Sequence, residues 1–384
     1  MKNYDWIVIG GGITGSALSY ELAKKGLKIL LLEKELNPDN ATRYSYGGLA
    51  YCSGTDELSR QLAQDGLEIH RNLSQELEGD TEFRDLDLLL TINPEDDPKK
   101  VIKYYDEFAI KPELLTIEEA CELEPLLNPK AISGGLRLPC AHINPPKTNQ
   151  AYQQAFLRLG GELKFEKVVE LINVENSIEG VVTSTDKHYS KNTVVCAGGL
   201  SRSLLKTAGI TVDLYFTHAQ LIITPPVDLN LRTLVMPANS KRLMVESEIN
   251  SDQWDNISSE LIADVMEPGA IQFRDGSFCL GQISQIRTNP TATIAPHSSQ
   301  EIIRKKVGQF LPALQNLPGT WHNCLVAFTP HSQSLVGKIA DFQGIYLFSG
   351  FTSTLIFAPP LARYFADWVT GKEEERQDFL INLS

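Results

Sequence analysis

The stretch Trp6-Ile-Val-Ile-Gly-Gly-Gly-Ile-Thr-Gly15 decides the fold of this chain. Its first part, Trp6–Ile9, is a short continuous apolar run, which is typical of a strand buried on both faces. After the glycines, Ser16–Lys25 has apolar residues at helical spacing and stops before a glycine. A second apolar run, Lys28–Leu32, leads to Glu33. The pattern predicts one compact βαβ unit that opens a nucleotide-binding domain.

Three glycines in the turn have separate mechanical roles. Gly10 permits the tight turn, Gly12 lets the backbone approach a pyrophosphate, and Gly15 lets the helix pack closely on the strand. The N–H groups and the positive dipole end at the helix start then hold the phosphates. A tight turn without a ligand is the alternative, but packing alone does not explain the acid that ends the second strand. The nucleotide-binding residues expected here are Gly10, Gly12, Ile13, Thr14, Gly15, Glu33 and Lys34.

Length and composition limit the classes of function. The 384 residues favour two domains, and 42% apolar with 22% charged residues is the balance of a soluble globular protein. The net charge of −13 argues against a nucleic-acid partner, which needs basic patches. None of the six cysteines forms a CxxC pair, and no histidine cluster has metal-ligand spacing. We expect reduced thiols and no metal site.

We expect neither a signal peptide nor a transmembrane segment in this sequence. Met1–Asp5 leads straight into the first strand and leaves no room for a signal peptide. The stretch Phe342–Ala362 carries no charge, but glycines and prolines interrupt it. We therefore expect a buried strand, a glycine turn and a helix start there, and not a transmembrane segment. A cytoplasmic location is the resulting expectation.

Strand patterns that suit the first sheet occur at both ends and in the middle of the chain. The expected fold class is α/β, with a discontinuous Rossmann-like nucleotide-binding domain and a smaller, mixed β-rich substrate domain. The expected division gives residues 1–82, 143–208 and 320–384 to the first domain and 83–142 and 209–319 to the second. Within the second domain, the patterns predict a largely helical Lys100–Glu124 and a β-type segment at Arg242–Val245.

Segments along most of the chain match one known family in the same order. They are Asp5–Gly15, Leu22–Gly26, Leu31–Lys34, Ser45–Ala50, His142–Pro145, Lys167–Val168, Val194–Gly199, Thr329–Pro330, Leu335–Gly337 and Gly344–Gly350. The family that they resemble is the D-amino-acid oxidase family of FAD-dependent oxidoreductases, which includes glycine oxidase and sarcosine oxidase. The glycine turn alone does not separate FAD from NAD, whereas this resemblance implies FAD as the cofactor.

The resemblance extends the expected FAD site beyond the first βαβ unit. In the family, a loop lies beside the flavin ring, and a glycine-rich turn after the last strand directs backbone donors at a flavin carbonyl. Only the first glycine of that last turn, Gly350, is present here, so serine and threonine hydroxyls are expected to supply donors. The further FAD residues that the resemblance implies are Ser45, Gly47, Gly48, Val168, Ala197, Gly198, Gly350, Thr352, Ser353 and Thr354.

Two departures from the family concern the substrate. An arginine that commonly pairs with a substrate carboxylate is Val326 here, and the aspartate of the family's C-terminal motif is His331. Either the substrate lacks a carboxylate at that point, or another cation replaces the arginine. His218 and Arg287 are weaker candidates for that role. The substrate-side residues expected are Tyr46, Tyr51, Arg242, Arg274 and His331.

The resemblance implies FAD-dependent oxidation of a small amine or amino acid by hydride transfer, with oxygen or another acceptor taking the electrons. No side chain is predicted to be catalytic, because the flavin carries the chemistry. A hydroxy-acid dehydrogenase that passes electrons to a quinone or carrier is one alternative. A flavin-binding protein that has lost oxidase activity is another. Covalent attachment through Cys324 is disfavoured, because its spacing to Thr329 is too long.

Overall fold

The computed structural model describes residues 3–255 and 261–371. The strands are β1 (Asn3–Ile9), β2 (Ile29–Glu33), β3 (Gly48–Leu49), β4 (Arg84–Ile92), β5 (Glu113–Leu115), β6 (Gly134–His142), β7 (Glu162–Phe165), β8 (Val168–Val174), β9 (Ser177–Thr183), β10 (Lys187–Val195), β11 (Tyr215–Ile223), β12 (Leu234–Pro237), β13 (Leu261–Gln272), β14 (Phe278–Arg287), β15 (Thr320–Phe328), β16 (Leu335–Lys338) and β17 (Ile345–Ser349). The α-helices are α1 (Ile13–Lys24), α2 (Glu57–Glu76), α3 (Pro98–Val101), α4 (Ile117–Leu123), α5 (Pro145–Arg158), α6 (Ser201–Lys206), α7 (Lys241–Ser247), α8 (Ser251–Asp255), α9 (Pro296–Phe310) and α10 (Thr354–Val369).

The first sheet has the strand order β16-β17-β10-β1-β2-β7, with β9 and β8 extending from β10. The strands from β17 to β7 are parallel, so their carboxyl ends meet at one edge. Trp6 and Val8 of β1 pack into a cluster with α1, α2, α5 and α10. Ile7 and Ile9 pack on the other face with β8, β9 and α6. Burial on both faces explains the continuous apolar run and confirms the Rossmann-like fold.

The second sheet has the order β15-β11-β14-β13-β12-β4-β6-β3, and β5 also pairs with β6. Helix α9 covers one face, where Ile303 and Val307 pack on Ile222 and Leu280. Strand β15 pairs with β11 along its whole length. Sheet membership therefore places Thr320–Phe328 with the second sheet, whereas the expected division gave residues 320–384 to the first domain. The division into domains itself stays a prediction.

Two local predictions were wrong. Lys100–Glu124 is not one helix: α3 and a single 3-10 turn are followed by β5 and the short α4. Pro112 lacks an N–H for a continuing helix, and Thr116 starts α4 with a capping box that uses Glu119. The segment Arg242–Val245 lies in helix α7, not in a strand, and Arg242 pairs with a carboxylate one turn further on.

The charge-free stretch Phe342–Ala362 forms β17, a turn at Gly350 and the start of α10, as expected. The helix begins earlier than its prolines suggest, because Pro359 and Pro360 lie inside it. Within residues 3–255 and 261–371, we find no helix with the length and hydropathy that a bilayer crossing requires.

Candidate functional site

The carboxyl edge of the first sheet collects most of the residues predicted to bind the nucleotide. Gly10 follows β1, Glu33 ends β2, Ala197 follows β10 and Gly350 follows β17. These four strands are parallel neighbours in the sheet. Ligands of open α/β sheets bind at this edge. The long-range pairing therefore joins four predicted segments that are far apart in sequence.

The glycines of the β1–α1 turn have almost no room for side chains. Gly10 has φ +107°, and a Cβ there would lie 2.5 Å from the Cys196 carbonyl oxygen. A Cβ on Gly15 would lie 1.9 Å from the Gly10 carbonyl oxygen. Gly12 is the N-cap of α1 and has no side chain to close the helix end. The Ile13 N–H at the start of α1 donates to the Thr42 hydroxyl. The N–H groups of Thr14 and Gly15 in the same turn are left to face a phosphate, so the turn fits a dinucleotide.

Glu33 is the acid expected at the ribose. Its side chain is buried, and Oε2 accepts a hydrogen bond of 2.7 Å from the backbone N–H of Gly11. The other oxygen, Oε1, accepts from the backbone N–H of Lys34 at 2.8 Å. The Glu35 N–H also donates to Oε1 at 3.3 Å, so three of about four acceptor positions of the carboxylate are used and one is left for a ribose hydroxyl. Glu33 therefore orders the turn, and its contact with the ribose stays a prediction.

Three residues that the sequence analysis missed also hold this turn. The hydroxyl of Thr42 accepts a hydrogen bond of 3.0 Å from the Ile13 N–H at the start of α1. On α5, Asn149 and Gln153 donate to the Gly11 carbonyl oxygen at 3.0 and 2.9 Å. Their i, i+4 spacing puts both amides on one face of the helix, and this spacing could have been recognised in the sequence. Thr42 gave no local signal, because its contact depends on the loop returning to α1.

The loop after β2 lies against the end of β6. Gly47 has φ +77°, and a Cβ there would lie 2.2 Å from the Ile143 carbonyl oxygen. Gly48 pairs with His142 across β3 and β6, and the Ser45 hydroxyl accepts from the Gly47 N–H at 3.3 Å. The buried His142 ring contacts the Tyr46 carbonyl oxygen at 3.0 Å, and burial is the main cause that lowers the pKa of His142 to about 3.

The last turn presents the start of α10 to the same edge. Gly350 has φ +72°, and Ser353 is the N-cap of α10 without a side-chain hydrogen bond. Thr354 is the first residue of the helix, and Thr352 is exposed. Val168 and Ala197 pack on one cluster beneath this edge. Three predicted residues remain: Thr14 lies in the first turn of α1, Lys34 directly follows β2, and Gly198 lies after β10.

The second sheet turns one face towards the loop after β2. We call this the inner face; its members are Tyr44, Tyr46, Ala219, Leu221, Cys279, Cys324 and Val326. Thr217 shares the face, because it lies two residues before Ala219 in β11 and directly opposite Val326 in β15. Burial raises the pKa of the Cys324 thiol to about 12, so this cysteine stays protonated.

The predicted substrate residues do not converge on one point. Tyr46 lies on the inner face, whereas Tyr51 packs with the helices of the first sheet. Arg242 donates to Glu267 at 2.9 Å and to Glu246 at 3.1 Å. Arg274 and His331 are both exposed; the first donates to the Phe83 carbonyl oxygen at 2.8 Å, and the second lies 3.4 Å from Asp213.

Comparison with known proteins also indicates an FAD-dependent oxidoreductase. The sequence profile of the FAD dependent oxidoreductase family, abbreviated DAO, matches residues 5–368. The 4-methylaminobutanoate oxidase (formaldehyde-forming) of Paenarthrobacter nicotinovorans is 24% identical over 373 residues, which are 94% of this chain and 43% of that protein. This chain therefore spans less than half of that relative. Glycine oxidase of Bacillus licheniformis is 24% identical over 266 residues, covering 66% of this chain and 72% of the relative.

A solved structure supports the fold. The crystal structure of glycine oxidase from Geobacillus kaustophilus superposes with a TM-score of 0.80 at 18% identity, covering 100% of this chain and 99% of that one. The family match confirms the resemblance, the cofactor and the enzymatic character expected from the sequence. The chain belongs to the DAO family of FAD-dependent oxidoreductases and is an FAD-dependent enzyme related to amine and amino-acid oxidases.

Proposed function

We propose that this enzyme oxidises a small amine in which no carbon bonded to the nitrogen carries a carboxylate. Bound FAD supplies the hydride acceptor, and the chain's own residues bind the amine and orient it. The observation that carries the proposal is the composition of the inner face at Val326, where an apolar side chain stands beside a lone hydroxyl.

Thr217 is the polar neighbour of Val326 on this face. Its side chain is fully buried, and its hydroxyl has no hydrogen-bond partner among residues 3–255 and 261–371. A carboxylate placed against a valine and one hydroxyl would lose its hydration without meeting a cation. Burial of such an unpaired charge costs about several kcal/mol. A neutral group can instead use the hydroxyl as a donor or an acceptor. This corner of the face favours an uncharged substituent.

Arg242 is poorly suited to replace the family's arginine. Its Nε and Nη1 donors are taken by Glu267 and Glu246. A substrate carboxylate would meet two like charges, which oppose its binding. Burial is the main cause that raises the pKa of the Tyr46 phenol, and Cys279 and then the same Glu267 make smaller contributions. Two carboxylates around one guanidinium therefore favour a cationic amine over an anion.

The name of one relative is consistent with this substrate class. A 4-methylaminobutanoate oxidase acts on a molecule whose methylamino group and carboxylate lie at opposite ends of the chain. In this enzyme we propose the same separation: the reacting end meets Val326, and any acid lies elsewhere. Oxygen as the acceptor and a cytoplasmic location stay predictions.

A flavin-bleaching screen under nitrogen tests the substrate class. N-methylbutylamine, sarcosine and lactate represent an amine without a carboxylate, an amine with one, and a hydroxy acid. We expect the first to reduce the flavin at least about tenfold faster at equal concentration, which is a difference of about 1.4 kcal/mol. Faster reduction by lactate would support the hydroxy-acid alternative, and faster reduction by sarcosine would refute the proposed class.

The same screen is run on a variant of Arg242 for comparison with the parent enzyme. In Arg242→Lys, the positive charge stays while the planar fork is lost. If Arg242 only balances the two glutamates, the preference among the three substrates stays the same in the variant. A selective loss of sarcosine oxidation would instead identify Arg242 as a carboxylate anchor. Peroxide measured in air then separates oxygen from other acceptors.

A further inference from the structure

Helix α10 contains two adjacent prolines, Pro359 and Pro360. In an α-helix, each backbone N–H bonds the carbonyl four residues earlier, and proline has no N–H. The carbonyl oxygens of Leu355 and Ile356 therefore have no donor within the helix. Both carbonyls belong to the first turn of α10, and buried carbonyls without partners are costly.

Helix α2 provides a contact for each of these two carbonyls. The Nε2 atom of His70 lies 2.7 Å from the Leu355 carbonyl oxygen. Gly66 faces Ile356 so closely that a Cβ on Gly66 would lie 2.0 Å from the Ile356 carbonyl oxygen. The missing side chain allows the Gly66 Cα to approach that oxygen, as weak C–H donors do. Gly66 and His70 are four residues apart, so they lie on one face of α2.

His70 is a fixed donor in this arrangement. Its ring is fully buried, and burial lowers its pKa to about 4. At neutral pH the ring is therefore uncharged and carries one proton, which must be on Nε2 to bond the carbonyl oxygen. Nδ1 has no hydrogen-bond partner in the described part of the chain, so no competing contact holds the ring in another orientation.

We infer that His70 and Gly66 are positioning residues for the flavin site. They hold the first turn of α10, and with it the uncapped N–H groups next to Ser353, in one orientation. This inference rests on the proposed placement of the flavin at the Gly350–Thr354 turn. The prolines make the dependence stronger, because the first turn of α10 takes its missing hydrogen bond from α2 and not from its own helix.

Other contacts between α2 and α10 lie outside the first turn and provide a control. Glu76 of α2 accepts from Arg363 at 2.6 Å, and Asp65 accepts from the Tyr364 hydroxyl. Glu76→Gln weakens the helix pair without touching Leu355. His70→Ala removes the donor to Leu355, and His70→Gln retains an amide donor. The control thus separates general helix packing from the orientation of the first turn.

The experiment is a dye-coupled titration of the midpoint potential of the bound flavin, together with its visible spectrum and the thermal midpoint of unfolding. Donors at a helix N-terminus stabilise negative charge on the reduced ring, so a displaced first turn lowers the potential. We expect His70→Ala to shift the potential to a more negative value, His70→Gln to restore much of it, and Glu76→Gln to lower only the thermal midpoint.

A double variant tests the role of the prolines. Pro359→Ala restores an N–H that can bond the Leu355 carbonyl oxygen, so His70→Ala should shift the potential less in that background than alone. Equal shifts in both backgrounds, or a His70→Ala variant that changes only the thermal midpoint, would overturn the inference. Gly350→Ala tests the flavin placement separately: an unchanged potential there refutes the placement, whereas a shift there without one in His70→Ala refutes the positioning role alone.

Discussion

The carboxyl edge of the first sheet and the inner face of the second sheet are constrained in different ways. At the edge, backbone atoms leave no space: a Cβ on Gly10 or Gly15 would lie 2.5 or 1.9 Å from a carbonyl oxygen. On the inner face, Val326 and Thr217 pair regularly between two strands, and the pairing does not depend on which side chains point inwards. Backbone geometry therefore restricts the residues at the edge that we predict to bind FAD, whereas the pairing of β11 and β15 does not restrict the side chains that we propose to meet the substrate.

The largest effect is expected at the tightest glycine of the edge. Gly15→Ala puts a methyl group into the Gly10 carbonyl, so the turn must move by more than packing tolerates. We expect loss of bound FAD and about 3 kcal/mol or more of lost stability. Absorbance of the purified variant at the flavin bands measures the first, and denaturant unfolding measures the second.

The control is Gly26→Ala. Gly26 has φ +79°, which opposes a side chain, but no atom lies within 4 Å of the added Cβ. It should cost some stability and retain FAD. A yellow, stable Gly15→Ala protein would contradict the geometry of the edge.

A smaller effect is expected at Glu33. Glu33→Ala removes the ribose acceptor and the hydrogen bond to the Gly11 N–H. FAD binding should weaken by about 1.5–3 kcal/mol, the range of hydrogen bonds to a charged group. Fluorescence titration of the apoprotein with FAD measures this. Glu33→Gln keeps acceptor oxygen but loses the charge, so an intermediate affinity is expected; an affinity equal to the parent in Glu33→Ala would show that Glu33 does not contact the ribose.

The smallest effect is a dependence of stability on pH. Two buried histidines have a strongly lowered pKa: burial is the main cause that lowers the pKa from 6.5 to about 4 for His70 and to about 3 for His142. The unfolded chain binds these protons first, so the free energy of unfolding is full above pH 6.5 and falls as the pH drops towards 4. By pH 5, each of the two histidines has lowered the free energy of unfolding by roughly 2 kcal/mol.

Urea unfolding at pH 7.5 and at pH 5 checks this difference. His142→Gln should reduce the loss of stability on acidification, because glutamine takes up no proton between pH 7.5 and pH 5. The exposed His297 offers a control, and His297→Gln should leave the dependence as in the parent. An unchanged dependence in His142→Gln would show that the ring is not buried in solution.

The sequence allowed the turn between β1 and α1 to be predicted because the constraints on this turn are local. The spacing of Gly10, Gly12 and Gly15 reports a strand, a turn and a helix that are adjacent in the chain. By contrast, the contacts of Thr42 with Ile13 and of Thr217 with Val326 depend on segments that meet only in the folded protein. No local pattern specifies such partners.

Arg242 is a second residue whose partners could not be predicted from the local sequence. A short apolar segment is compatible with either a strand or a helix. The structure has a helix, in which Arg242 reaches Glu246 along one face. As a result, the residue proposed as a substrate anchor is paired with two acids. The loss of an arginine at Val326 was visible in the sequence, but the buried hydroxyl beside it required the register of β11 and β15.

The most direct test of the account compares N-methylbutylamine with sarcosine in the parent enzyme, in Val326→Arg and in Val326→Leu. The rate of flavin reduction under nitrogen is measured for both amines across a range of concentrations. We expect the parent and Val326→Leu to favour N-methylbutylamine, and Val326→Arg to shift the ratio towards sarcosine by at least about tenfold, or about 1.4 kcal/mol. Rapid, saturable reduction of the parent by sarcosine would contradict the claim that this face binds an amine without a carboxylate.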